Sequence, residues 1–296
     1  MASVVSRLDK LKLINPPAWL PANTMFEGWT GSVAYGASDD SSDMDVVGFC
    51  LPPKEMTFPH LAGEIAGFGR QVQRFEQFQQ HHVHDAGTGR EYDITIFSIV
   101  KFFQLTMENN PNMVDNLYLP RRCVLHSTPI YEHVRTHRAL FLHKGSFHKF
   151  RGYAMAQMSK IDRGAQRANP KRQASIDAHG FDVKFAYHLV RLLLELEQIL
   201  ATGDLRLDRD AEVYKSIRRG EWSLERIKAW AEEKERALET LHAASSLPER
   251  PDEEAIKRVL IECLEMHYGS LEGAVVEQDK HARLVRELQE LVRRHS

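Results

Sequence analysis

The chain has 296 residues, 43% of them hydrophobic and 27% charged, with a formal net charge of −2. That length supports one large domain or two modest ones, and the balanced charge supplies no global field toward nucleic acid or anionic lipid, so any nucleic-acid contact must come from a local basic surface. Cys50, Cys123 and Cys263 stand far apart without a Cys-x-x-Cys pairing, which argues against a disulfide framework or a structural zinc site and for a reducing, cytoplasmic setting. No apolar run reaches the length of a membrane span, and Met1 to Arg7 lacks the apolar core of a signal peptide, so no membrane partner is expected.

Two regimes follow one another. Up to about residue 120 the chain is rich in Gly, Pro, Phe and Asp, with short strand-like runs. Phe26 to Thr30 reads as a strand running into Gly31-Ser32 and a short helical Val33-Ala34-Tyr35. Met44 to Leu51 reads as a buried strand stopped by Pro52-Pro53. Gln71 to Val83 is assigned strand without a clean period, and Asp85 to Gly89 a turn. Glu91 to Phe97 alternates: Glu91, Asp93 and Thr95 face one way, Tyr92, Ile94 and Ile96 the other. Ser98 then caps a helix to about Met107. Beyond residue 128, helices are expected near 129–141, 146–162, 181–202, 210–218, 223–243, 252–268 and 278–294. Pro129 and Pro251 suit first turns, and Thr202-Gly203 a stop. The expected class is α+β: a small mixed sheet with flanking helices, followed by an all-helical C-terminal region, divided as 1–127 and 128–296.

The segment from Thr30 to Gly48 carries the chemistry. Asp43 and Asp45 are one residue apart at a strand start, and that spacing points both side chains to one side of the sheet. Two carboxylates forced together repel unless a cation lies between them, and hard oxygen ligands suit magnesium or manganese. Asp93 is the candidate third carboxylate for a two-ion site, with Glu91 on the same side as the fallback. Gly31 lets a phosphate approach the backbone, so the Ser32 hydroxyl and the amides of the following turn can bind β- and γ-phosphates. An isolated Asp-x-Asp in an Asp/Ser-rich stretch is most simply a solvated turn. The ensemble changes that: a strand, Gly-Ser, Asp-x-Asp opening a second strand, and a later strand-borne Asp.

The pattern Gly31-Ser32, Tyr35-Gly36, Ser42-Asp43, Asp45 and Gly48 resembles the nucleotidyltransferases of the DNA polymerase β superfamily, in particular the bacterial and phage branch associated with RNA repair. Lys101-Phe102, Asn110-Pro111-Asn112, Gly152-Tyr153 with Gln157, Lys184 with His188 and Arg191-Leu192-Leu193, Thr202-Gly203, and Ile217-Arg218-Arg219-Gly220 are similar to that branch. The resemblance covers about residues 24–225. It implies that Asp43, Asp45 and Asp93 hold two metal ions and that Gly31 and Ser32 bind the phosphates of an NTP. It also implies a catalytic domain over 1–127 and a helical domain over 128–296 that completes the nucleotide and acceptor site. The loop at Asp39 and Asp40 is more acidic than that pattern leads one to expect.

On the helix from Phe181 to Leu200, Lys184, His188, Arg191 and Glu195 fall on one strip, beside an apolar stripe of Phe181, Phe185, Leu189, Leu192, Leu196 and Ile199. Its middle is apolar almost all round, so the helix is buried and its cations need partners. One reading gives Lys184, His188 and Arg191 the triphosphate; the other pairs them with internal carboxylates such as Glu195. Lys160, Arg163, Arg167, Lys171 and Arg172 read as an exposed loop around Asn169-Pro170 that is either solvated or grips an RNA backbone. Phe147, His148, Lys149, Phe150, Arg151 and Tyr153 interleave aromatic and basic residues in a way that suits unpaired bases, although Phe147 and Phe150 fit a helix core better. His81, His82 and His84 lack the spacing of a metal site and read as a solvated loop.

These readings converge on transfer of NMP from an NTP to an acceptor hydroxyl, with an RNA 3′ end, such as that of a tRNA, as the acceptor. Three rivals stay open. The same core could modify a small molecule or a protein side chain, the chain could be a non-catalytic RNA-binding module, or its C-terminal helices could mainly dock RNA repair proteins.

Overall fold

The computed structural model describes residues 3–38, 44–58, 60, 63–65, 67–69, 74–163, 170–270, 285, 288–289 and 291–294. Five strands form one mixed sheet: β1 (Thr24–Trp29), β2 (Met44–Cys50), β3 (Gln77–Asp85), β4 (Arg90–Ser98) and β5 (Val124–Ser127), in the order β3-β4-β2-β1-β5. β2 and β4 run parallel, while the other neighbours are antiparallel. With helices on both faces and a long helical C-terminal half, the fold is α+β.

Side-chain alternation gives each face its own cover. Val46, Cys50, Tyr92, Ile94 and Ile96 pack with Val4, Val5 and Leu8 of the first helix, α1 (Val4–Lys10). Phe26 and Phe49 point to the other face and join a core that runs through the helical half. That half comprises α6 (Pro129–Thr136), α7 (Ser146–Arg163), α8 (Pro170–His179), α9 (Val183–Thr202), α10 (Ala211–Arg218), α11 (Leu224–Ala244) and α12 (Glu253–Tyr268), preceded by α2 (Leu20–Asn23), α3 (Lys54–Thr57), α4 (Ile99–Met107) and α5 (Pro111–Leu117).

The change of regime falls between β5, ending at Ser127, and α6, opened by the N-cap Thr128 and by Pro129. The core does not divide there. The rings of Phe26 and Tyr131 stack with centroids 4.0 Å apart, and the hydroxyl of Tyr268 donates to the carbonyl of Pro52. Ser98 caps α4 by accepting from the Lys101 amide at 3.2 Å, and Gly203 ends α9 at φ 65°, the left-handed cap that a glycine adopts without strain. The middle of α9 is buried on every side, Arg191, Glu195 and Gln198 included.

Several expectations are corrected. The basic stretch read as a loop contains α8, although Arg167 and the side chains of Lys171 and Arg172 lie outside the described residues. β3 starts at Gln77 rather than at 71. Pro251 precedes the N-cap Asp252 instead of occupying the first turn. Most of the helix expected over 278–294 lies outside the described residues.

Candidate active site

Asp45 and Asp93 are partners in the parallel register of β2 and β4. Parallel partners share a face, so the two carboxylates stand side by side, on the face that carries Phe49 and Phe97 toward the helical half. Asp43, two residues before Asp45, lies with residues 39–42 outside the described residues. The strand β1 ends beside Asp45, where the Thr30 amide donates to the Asp45 carbonyl at 3.0 Å. Gly31 follows at φ 67°, and a Cβ there would meet Asp45 Oδ2 at 2.6 Å. Both the backbone angle and the close approach of the carboxylate therefore demand glycine.

From Gly31 the chain winds through a short 3₁₀ turn, Gly31–Val33. The amides of Ala34 and Tyr35 donate to the Gly31 carbonyl, that of Gly36 to Val33 and that of Ala37 to Ser32. Those four amides are engaged inside the turn. The turn is held from outside as well. The Tyr35 hydroxyl donates to Asp115 Oδ2 at 2.5 Å, Arg122 Nη2 to the Ala34 carbonyl at 3.3 Å, and Arg218 Nη1 to the Ala37 carbonyl at 2.5 Å.

The strip on α9 divides by depth. Lys184 is exposed and His188 half-buried. Burial drives the His188 imidazole well below its ordinary pKa, and the cations of Arg191, Lys184, Lys160 and Arg218 push it the same way, so the ring stays neutral. Arg191, only 3% exposed, is turned inward. Its Nη1 donates to Asp115 Oδ2 at 2.8 Å and to both Glu195 oxygens at 2.9 Å, and its guanidinium lies 4.3 Å from the centre of the Tyr35 ring. Arg191 is thus paired with internal carboxylates, the second of the two readings of this strip. Burial outweighs Arg191 and raises both carboxyls above their ordinary values.

Three residues set aside in the sequence lie beside the site. β3 bulges between Gln80 and Val83 with His82 at φ 53°, which turns the His82 amide onto Asp93 Oδ1 at 2.8 Å. His81 Nδ1 is 3.3 Å from Asp93 Oδ2, and His82 Nδ1 is 2.5 Å from Glu91 Oε1, with His84 Nδ1 3.5 Å from Glu91 Oε2. Among the described residues no three His, Cys, Asp or Glu side chains form a metal-holding group; the expected trio includes Asp43. On the helical side Phe147 and Phe150 are buried, as a helix core requires. Arg151 pairs with Glu235 at 2.7 Å and Lys149 with Glu108 at 3.6 Å, whereas Tyr153 is exposed with its hydroxyl accepting from Asn110.

The sequence profile of the RNA repair pathway DNA polymerase beta family matches residues 7–262. The chain belongs to this family. Membership of the RNA repair pathway DNA polymerase beta family places it among nucleotidyltransferases of the polymerase β type, a superfamily that generally uses NTPs and divalent metals. The match reaches further than the resemblance read from the sequence: it takes in α1 from Arg7, all of α11, and α12 as far as Glu262. No curated protein matches the chain. Among solved structures, a nucleotidyltransferase-like protein from Exiguobacterium sibiricum 255-15 is 12% identical over 83% of this chain and 75% of that one, with a TM-score of 0.26, too loose a likeness for structural inference. No helix among the described residues is long and apolar enough to cross a membrane.

Proposed function

We propose that this family member transfers NMP from an NTP to the 3′ hydroxyl of an RNA, with release of pyrophosphate. The observation that carries the reading is the in-register pair Asp45 and Asp93, with Asp45 seated against the Cα of Gly31. Adjacent hard carboxylates on one face suit magnesium or manganese. Asp43, Asp45 and Asp93 would hold two such ions, which supply charge neutralisation for an attacking hydroxyl and a departing pyrophosphate.

The chain's own groups have separate tasks. Gly31 leaves room for a phosphate beside Asp45, and the Ser32 hydroxyl donates to a β- or γ-phosphate oxygen. Lys184 neutralises the triphosphate, and His188, held neutral, donates one hydrogen bond to it. The acceptor oxygen bonds to the α-phosphorus as the bond to the bridging oxygen breaks. The hydroxyl proton passes to Asp93, which the His82 amide holds in place.

The test incubates the full-length protein with magnesium, each labelled NTP in turn, and RNA ending in either a 3′ hydroxyl or a 3′ phosphate. The expected result is label on the hydroxyl-ended RNA alone. Label on both RNAs, on the protein itself or nowhere contradicts the assignment of the acceptor.

A further inference from the structure

Polar groups taken from water cost free energy unless they are fully paired, and a well-packed apolar replacement of a buried ion pair is commonly as stable. The protein nevertheless buries Asp115 of α5, Arg191 and Glu195 of α9 and Tyr35 of the turn in one hydrogen-bonded knot. Its placement is specific. Tyr35 lies four residues after Gly31. Arg191 lies three residues after His188 and seven after Lys184, about two turns or 10 Å along the same helix. The knot therefore joins the chain segment that presents Gly31 and Ser32 to the helix that presents Lys184 and His188.

Apolar packing alone would hold these two segments together without fixing their relative direction. The knot is directional. A single oxygen, Asp115 Oδ2, accepts from the Tyr35 hydroxyl at 2.5 Å and from Arg191 Nη1 at 2.8 Å, and the Arg191 guanidinium also lies 4.3 Å from the centre of the Tyr35 ring. Sliding α9 past the turn by an ångström would lengthen these contacts together. Arg122 at Ala34 and Arg218 at Ala37 fix the turn's backbone on either side of Tyr35.

We infer that the Tyr35–Asp115–Arg191 knot sets the register between the Gly31-Ser32 turn and the Lys184-His188 end of α9, which makes Tyr35 and Asp115 positioning residues for nucleotide binding. The inference rests on the nucleotide-site reading above. Tyr35→Phe is the sparing probe, because it keeps the ring under Arg191 and removes only the hydroxyl.

The experiment measures calorimetric binding of each of the four NTPs, with magnesium, to full-length wild type, Tyr35→Phe, Lys184→Ala and the double variant. All are held at a temperature where circular dichroism shows them folded. The expected result is a two- to tenfold weaker affinity for Tyr35→Phe, roughly one neutral hydrogen bond, and a double variant in which the Lys184 effect shrinks by about threefold or more. A hydroxyl with a merely structural role would lower the melting temperature and leave the two effects multiplicative, which overturns the inference. Wild-type binding that depends on Lys184 but is indifferent to Tyr35→Phe overturns the register inference alone. Wild-type protein that binds no NTP overturns the nucleotide-site reading and this inference with it.

Discussion

The two ends of one strip on α9 behave as different materials. Lys184, His188, Arg191 and Glu195 share a helical face, yet the first is exposed, the second half-buried and the last two sealed in the core. At the outer end a cation is available for a ligand; at the inner end a cation is matched by carboxylates and stacked against Tyr35. Periodicity assigns residues to a face. How deep each one sits depends on what packs over the helix, here α7, α10 and α11, with Asp115 of α5 and Tyr35 of the turn at Arg191, and those contacts are tertiary.

That contrast can be broken by substitution. Arg191→Leu should be the most damaging to stability, about 3–5 kcal/mol by urea unfolding, because it strands the charge shared by Asp115 and Glu195 in the core. Lys184→Ala should stay within about 0.5 kcal/mol of wild type in the same titration while weakening NTP affinity about tenfold, the size of one charge-assisted hydrogen bond. Equal stability losses for the two variants would erase the distinction between the ends.

The two ends should also respond to pH in opposite senses. Glu195, raised to about 8 in the fold from an ordinary carboxyl value, contributes stability that is complete below about 4.5 and fades as pH rises through 8, because the native state holds a proton that the unfolded chain has released. Glu195→Gln should flatten that alkaline decline in melts between pH 6 and 9. His188, lowered in the fold, works the other way: the unfolded chain takes up a proton below about 6.5 that the native ring refuses, so stability is lost on acidification. His188→Gln should remove an acid-side slope of at most about 1.4 kcal/mol per pH unit. An acid-side slope that persists in His188→Gln would place its source elsewhere.

Much of this was legible where local rules suffice. The alternation of Glu91 to Phe97 assigned Asp93 to its face before any pairing was known, and the Gly31 and Asp-x-Asp signals led to Asp45. Caps at Ser98 and Gly203 fixed helix ends because their chemistry is carried by one residue. The rest needed tertiary information. β5 has four residues, too few for a period, and exists through its pairing with β1. His81 and His82 read as loop because a bulge breaks the alternation of β3 where it matters, placing two consecutive residues against Asp93. Periodicity puts Arg191 on a buried stretch in need of a partner, but the choice between a triphosphate and carboxylates depends on Asp115, which is remote in sequence. Asp115, from a helix that was not foreseen, had no sequence signal beyond one acid in the apolar run Met113 to Leu117.

The most direct measurement compares wild type with Asp45→Asn and Asp93→Asn in transfer of label from NTP to hydroxyl-ended RNA, with magnesium and with melting curves recorded alongside. Asn keeps the shape of each side chain and removes its charge, so both variants should melt near wild type while transfer falls by a factor of about 1,000 or more, consistent with loss of metal-assisted charge stabilisation. Transfer at wild-type rates in either folded variant would contradict the assignment of the reaction to this pair.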